Sequence, residues 1–219
     1  EPTLAQTKLV KTQRLFTFGF NGKASFYAHD IAYDLAGTHF TVKSANNDQP
    51  FFVSLLGKAA VYSVLPAIII GNAFGIHAND ICKSLRELKP LPGRLSVIAG
   101  IRGCTLLEGS YNASPAAMKM SLDVLRTLPA RRRITIAGDM RELGDITEEA
   151  HQDMLNQLGN VCDLVITFGP YYGAAMQKLP AQKRSQAAFQ HFDNREDLIK
   201  FIVPKVGIGD IILIKGSQN

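Results

Sequence analysis

Apolar and polar positions follow two rhythms along this chain, and the change falls near residue 90. Before it the pattern is mostly of strand length. Leu15–Phe20 is a short apolar run, Ser25–Leu35 alternates loosely, and Thr38–Val42 and Pro50–Leu55 complete a set of strand candidates. Asn21-Gly22 and Asn46-Asn47-Asp48 supply turn chemistry between them. Lys58–Phe74 is apolar on nearly every side over helical length, which predicts a buried helix. Pro66 within it removes a backbone donor and predicts a kink or a break. Asn79–Leu88 predicts a short amphipathic helix.

Pro90-Leu-Pro-Gly93 is the strongest punctuation, and a domain boundary is expected just after it, dividing residues 1–96 from 97–219. Arg94–Ala99 and Cys104–Leu107, joined by Gly100-Ile-Arg-Gly103, predict a hairpin. From there helix and strand alternate. Ser114-Pro115 pairs an N-cap with proline at the first helical position, opening a helix to about Leu128. Arg133–Ala137 predicts a strand, and Asp145 with Glu148 has capping-box spacing ahead of a helix to about Leu158. Leu164–Phe168 is a strand, Pro170–Lys178 a helix and Ala188–Phe192 a strand. Asp193 and Glu196 repeat the capping spacing before a helix to about Val206, and Ile211–Ile214 closes as a strand. Strands separated by helices imply right-handed crossovers. The expected class is therefore α/β, with a mainly parallel, doubly wound, Rossmann-like sheet carrying helices on both faces.

Composition narrows the class without naming a reaction. Apolar residues make up 46% and charged residues 20%, an ordinary globular balance. The net charge of +5 is mild, and its densest cluster, Arg131-Arg132-Arg133, reads as a solvated connector or as an anion contact. The three cysteines (Cys82, Cys104, Cys162) form no C-x-x-C pair, which argues against structural zinc and for a reducing compartment. No basic-then-apolar leader opens the chain, and the longest apolar run, Val64–Ile70, is too short for a bilayer; a cytoplasmic monomer with neither membrane nor nucleic-acid partner is expected. The chain starts at Glu1 rather than Met and stops just after an apolar strand, so both ends are expected to lie inside a longer polypeptide.

In a parallel sheet every loop that follows a strand opens on one edge, where ligands bind. Five loops qualify here: Glu108–Ser114, Gly138–Gly144, Gly169-Pro170, Phe192–Asn194 and Lys215–Asn219. Lys215-Gly216-Ser217 offers a cation, close backbone approach and a hydroxyl suited to a phosphate or carboxylate, or is a plain turn. Asp139 is a loop carboxylate, a cap or a ligand contact. Tyr111-Asn112 could stack and hydrogen-bond, or only turn the chain. Arg94 is a surface residue or a fork-shaped phosphate clamp. The five histidines, His151 among them, show no ligand spacing and read as surface or packing residues. Neither G-x-x-x-x-G-K-[ST] nor G-x-G-x-x-G occurs.

Tyr111-Asn-Ala-Ser-Pro115, Gly138-Asp-Met-Arg-Glu-Leu-Gly144 with Glu148-Glu-Ala-His151, and Lys215-Gly-Ser217 together resemble the Mur ligase family, and within it the branch that adds D-alanyl-D-alanine. Pro92-Gly93-Arg94 fits the junction between that family's central and C-terminal domains. Phe18-Gly19 and Gly57–Tyr62 resemble the tail of its central ATPase domain. The resemblance implies that residues 1–96 end the central ATP-binding domain and that 97–219 form the C-terminal domain. It also implies an amide ligase of peptidoglycan synthesis: ATP activates the carboxylate of a UDP-linked muramoyl tripeptide as an acyl phosphate, and the amine of D-alanyl-D-alanine attacks it. By the same resemblance Arg94, Glu108, Tyr111 and Asn112 would serve the nucleotide, and Asp139, Lys215 and Ser217 the substrate. The phosphate loop and the Mg2+ ligands would precede Glu1, leaving no catalytic residue or metal ligand assigned here and the chain inactive by itself. Two positions depart from the family: Glu108-Gly109 replaces an Asp-Asp pair, and Gly57–Ser63 lacks the His and Asn of G-x-H-N-x-x-N. Alternatives are a ligase adding another amino acid, one adding glutamate to folate, or a non-catalytic nucleotide- or partner-binding domain.

Overall fold

The computed structural model describes residues 15–45, 47–180 and 187–217. Its first layer is a four-stranded sheet of β1 (Phe18–Gly19), β2 (Phe26–Asp34), β3 (Gly37–Ser44) and β4 (Asn47–Val53), in that order. β1 lies parallel to β2, and the later pairs are antiparallel. The Asp34 carboxylate accepts the Ala36 and Gly37 amides, which closes the β2–β3 turn. Alternate side chains of the strands, among them Ala28, Phe40, Val42, Phe51 and Val53, point to one face. There they meet Val61, Val64, Leu65 and Ile68 of α1 (Lys58–Ala73) and Ile81 and Leu85 of α2 (Ala78–Glu87). Helix α1 runs on through Pro66 instead of breaking there. The surrounding turns keep their own hydrogen bonds and packing, which outweighs the one donor that proline removes.

The second layer is a six-stranded sheet in the order β5-β6-β10-β7-β8-β9. Its strands are β5 (Ser96–Ala99), β6 (Thr105–Glu108), β7 (Arg132–Gly138), β8 (Leu164–Phe168), β9 (Ala188–Phe192) and β10 (Asp210–Lys215). Only the edge strand β5 is antiparallel. Helices α3 (Pro115–Thr127), α4 (Thr147–Gly159) and α5 (Pro170–Gln177) cover one face. Leu122, Leu125, Leu155, Leu158 and Tyr172 pack there on Leu107, Val165 and Leu213. Helix α6 (Arg195–Ile202) covers the other, with Leu198 and Ile202 on Ile134, Ile166 and Ile212. The expected α/β class, mainly parallel with helices on both faces, is the observed one. Leu56, which follows β4, is buried in the core of the second layer and ties the two layers together. Among the described residues no helix is long and apolar enough to cross a membrane.

Several boundaries differ from expectation for local reasons. β5 begins at Ser96 because Leu95 sits at φ 59°, a left-handed conformation no strand accommodates. Asp145 does not cap α4; a short 3-10 turn at Gly144–Ile146 precedes the helix, and the Thr147 hydroxyl donates to the Gly144 carbonyl. At α6 the cap is Asn194, one residue later than Asp193, and its side-chain oxygen accepts the Glu196 and Asp197 amides. That helix stops at Ile202, short of Val206, because Pro204 in the next turn has no amide to donate.

The arginine cluster is neither a free connector nor an open anion site. Arg131 and Arg132 both fork onto the fully buried Asp210 carboxylate, and Arg133 donates to the Leu125 and Leu128 carbonyls at the C-terminal end of α3.

Candidate functional site

Because β6, β7, β8, β9 and β10 run parallel, their C-terminal ends share one rim. Glu108 closes β6, and its carboxylate is fully engaged. One oxygen accepts the Gly93 amide at 2.6 Å, and the other accepts the Ser110 amide at 2.9 Å and the Ser110 hydroxyl. The Gly93 carbonyl in turn accepts the Tyr111 amide at 3.3 Å. Gly93 has φ 75°, and a Cβ there would fall 2.6 Å from Cβ of Tyr111, so only glycine lets the linker lie against this loop. The next residue, Arg94, stacks its guanidinium 4.3 Å from the centroid of the Tyr111 ring. Burial pushes the Glu108 carboxyl up, but the Ser110 and Gly93 donors and the Lys215 charge outweigh it and hold the group below its usual range.

Lys215 ends β10 with a buried side chain. Its ammonium donates to the Gly109 carbonyl at 3.1 Å and the Asn112 carbonyl at 2.9 Å. Burial lowers its pKa, the nearby Arg94 charge lowers it further, and Glu108 opposes both. The Ser217 hydroxyl donates to Asn112 Oδ1 at 3.1 Å and accepts the Arg141 amide at 3.2 Å. The Ser217 amide donates to the Asp139 carbonyl at 3.1 Å. These bonds stitch the β6 loop, the β7 loop and the end of β10 into one surface.

Asp139 faces α5. Its carboxylate accepts the Tyr171 amide at 3.1 Å and the Tyr172 amide at 2.9 Å, capping the positive end of that helix. Gly169, at φ 106°, makes room, since a Cβ there would lie 2.6 Å from the Asp139 carboxylate. The Met140 amide donates to Nε2 of His151 at 3.0 Å. Arg94 of the linker, Glu108, Tyr111 and Asn112 after β6, Asp139 after β7, and Lys215 and Ser217 at the end of β10 thus gather on one rim, with the loop after β8 holding Asp139. The loop after β9 does not join them; Asn194 caps α6, and Asp193 pairs with His191 at 3.1 Å. The sequence reading of His151 as a packing residue holds, since the side chain is fully buried, while Ser110 was given no role there. For His151 a signal existed: with Met154, Leu155 and Leu158 it stands at the i, i+3, i+4, i+7 spacing of α4's buried face.

Beside this rim a cleft of about 500 Å³ lies between α1, the linker and α3. Lys58, Lys89, Arg94 and Lys215 line it, and no carboxylate does. Glu108 offsets part of the Lys215 charge, and the excess of cations over carboxylates in the lining fits an anion such as a phosphate. A divalent cation fits less well, because no group of three or more His, Cys, Asp or Glu residues suited to a metal exists among the described residues.

Residues 93–218 match the family described as Mur ligase, glutamate ligase domain. The UDP-N-acetylmuramoyl-tripeptide–D-alanyl-D-alanine ligase of Bacillus subtilis is 30% identical over 100% of this chain and 47% of its own length. The ligase of the same name from Escherichia coli is 26% identical over 96% of this chain and 46% of its own length. The chain therefore spans about half the length of these curated relatives. Among solved structures, the MurF ligase of Thermotoga maritima in complex with ADP superposes with a TM-score of 0.77. It covers 92% of this chain and 45% of that one, and at 24% identity it speaks to the fold. The match over the whole second layer, the shared fold and the rim built from the three motifs lead to one assignment: the chain belongs to the Mur ligase family.

Proposed function

We propose that this chain is the carboxyl-terminal half of an ATP-dependent ligase that joins D-alanyl-D-alanine to a UDP-linked muramoyl tripeptide in the cytoplasm. In this reading residues 1–96 end the ATP-binding domain, and residues 97–219 form the domain that closes over nucleotide and dipeptide. The observation that carries it is the cation-lined cleft opening beside the stitched rim: Lys58, Lys89, Arg94 and Lys215 face the cleft, and Lys215 joins it to the rim through the Gly109 and Asn112 carbonyls.

A carboxylate resists attack by an amine because its negative charge repels the nucleophile and it offers no leaving group. ATP, when bound, supplies the phosphoryl group that converts it to an acyl phosphate, so that inorganic phosphate departs when the amine nitrogen attacks and loses its proton. The contribution of this chain is electrostatic and positional. Arg94, held against Tyr111, and the lysines of the cleft offset phosphate charge. Glu108 holds Gly93, and through it the linker, to the rim, which sets where Arg94 points. Among the described residues no group of three or more His, Cys, Asp or Glu side chains is placed to hold Mg2+.

Binding, rather than turnover, is what the isolated chain should show. Calorimetry with ADP should give measurable heat that weakens as salt rises. D-alanyl-D-alanine added to the ADP-loaded chain should bind where D-glutamate and diaminopimelate do not. Preference for either competitor, or an absence of nucleotide binding at low salt, would overturn the reading, as would ADP release from ATP by the chain alone.

A further inference from the structure

We infer that His151 is a positioning residue for the amino component. Its buried imidazole holds the backbone of Asp139, Met140 and Arg141 in the conformation that faces the incoming dipeptide. The inference rests on the ligase reading above.

His151 lies wholly inside the protein, on the face of α4 that packs against the sheet, so it touches no substrate. Its ring stands edge-on to Tyr172, with centroids 4.7 Å apart. Both ring nitrogens are engaged. The Thr147 carbonyl, which can only accept, lies 2.6 Å from Nδ1, and the Met140 amide, which can only donate, lies 3.0 Å from Nε2. Those partners dictate the tautomer, with the proton on Nδ1 and a lone pair on Nε2 aimed at the loop. Met140 itself is fully buried, so without that lone pair its amide would be an unpaired interior donor.

The three amides of this segment are held by three different parts of the fold. Asp139 N–H donates to the Phe168 carbonyl at the end of β8, Met140 N–H to His151 on α4, and Arg141 N–H to the Ser217 hydroxyl beyond β10. The next residue, Glu142, stands at φ 61°, a conformation a non-glycine residue keeps only when its surroundings over-determine it. Among the three tethers, the middle one comes from a fully buried side chain. Removing it leaves Asp139 fixed at α5 and Arg141 fixed at Ser217 with a free donor between them, and the backbone must move to find water.

The test uses the whole ligase and the chain alone. In the ligase, His151→Leu should raise KM for D-alanyl-D-alanine about tenfold, the order expected for one buried hydrogen bond to a positioned loop, and leave KM for ATP within about twofold. His151→Gln, whose side-chain oxygen can accept the Met140 amide, should restore most of the affinity. In the 219-residue chain, amide exchange at Met140 should speed up in His151→Leu, recover in His151→Gln, and leave the Leu155 and Leu158 amides of α4 protected. Should the leucine variant fail to fold, His151→Asn, too short to reach Met140, takes its place. Unchanged dipeptide KM, or both KM values rising together with a general loss of protection, would overturn the inference. If the wild-type ligase shows no turnover that depends on D-alanyl-D-alanine, it is the functional reading that fails, and exchange at Met140 still decides whether His151 holds the loop.

Discussion

Replacing Asp210 with Asn should destabilise the chain by about 2–3 kcal/mol without changing its fold. Asp210 opens β10, which lies between β6 and β7, and its side chain has no exposure to solvent. Oδ1 accepts Arg131 Nε and Arg132 Nε, both at 3.1 Å. Oδ2 accepts Arg132 Nη2 at 2.6 Å and the Gly207 amide at 2.9 Å. Breaking a buried ion pair costs about 3–5 kcal/mol. The arginine side chains here are 58% and 36% exposed, so water takes up part of the released charge and the smaller figure applies. For a chain of this size that corresponds to a fall in Tm of about 5–10 °C. The pH dependence has a definite sign. The Arg132 bond, opposed by burial, holds the Asp210 carboxyl below its ordinary value. Its stabilisation is therefore complete above the unfolded-state pKa of about 3.9 and is lost as pH falls through the lower folded value. Urea unfolding of wild type and Asp210→Asn should show a constant gap from about pH 5 to 8 that narrows below about pH 4. A gap under about 0.5 kcal/mol at pH 7, or one that widens on acidification, would refute the reasoning.

Gly93→Ala should cost about 2 kcal/mol or more in urea unfolding and weaken ADP binding, because the new methyl group meets Tyr111 in a left-handed conformation; unchanged values for both would remove the linker from the site. Arg94→Ala should lower ADP affinity about tenfold by calorimetry, with a shallower salt dependence, whereas an unaltered salt slope would place the guanidinium away from phosphate. The lowered pKa of Lys215 means the unfolded chain binds its proton more tightly than the folded one. Stability relative to Lys215→Met should accordingly rise as pH climbs toward about 10.4, and a flat difference in urea midpoints would contradict the burial of that charge.

What was legible in the sequence was local. Ser114 and Pro115 act on their own helix, and the cap forms as expected, with the Ser114 hydroxyl accepting the Ala117 amide. Strand and helix spacing after residue 90 was enough to predict a parallel α/β layer. Asp145 and Asp193 misled because capping spacing can be met in more than one register; Asn194 competes one residue later, and a 3-10 turn displaces the start of α4. Long-range pairing was out of reach. Arg131 and Arg132 find Asp210 some 79 and 78 positions away, and nothing near them in the chain announces it. His151 was legible as a packing residue, but its partner was not: that partner is the backbone of Met140, and a backbone amide leaves no mark in a sequence. The candidate rim followed from topology, while the bonds that stitch it required coordinates.

The last of the described strands is third across its sheet, bonded to β6 and β7 at once, and it carries the lysine that reaches back to Gly109 and Asn112. A nascent polypeptide therefore leaves the ribosome with β6 and β7 holding open a slot that nothing yet synthesised can fill. Helices α3 and α4 can form early, but the rim is not closed until β10 has been made. Partial products of synthesis that lack β10 carry the helices and outer strands of this layer without the Lys215 and Ser217 bonds that close the rim, and exposed strand edges at that slot would favour capture by chaperones.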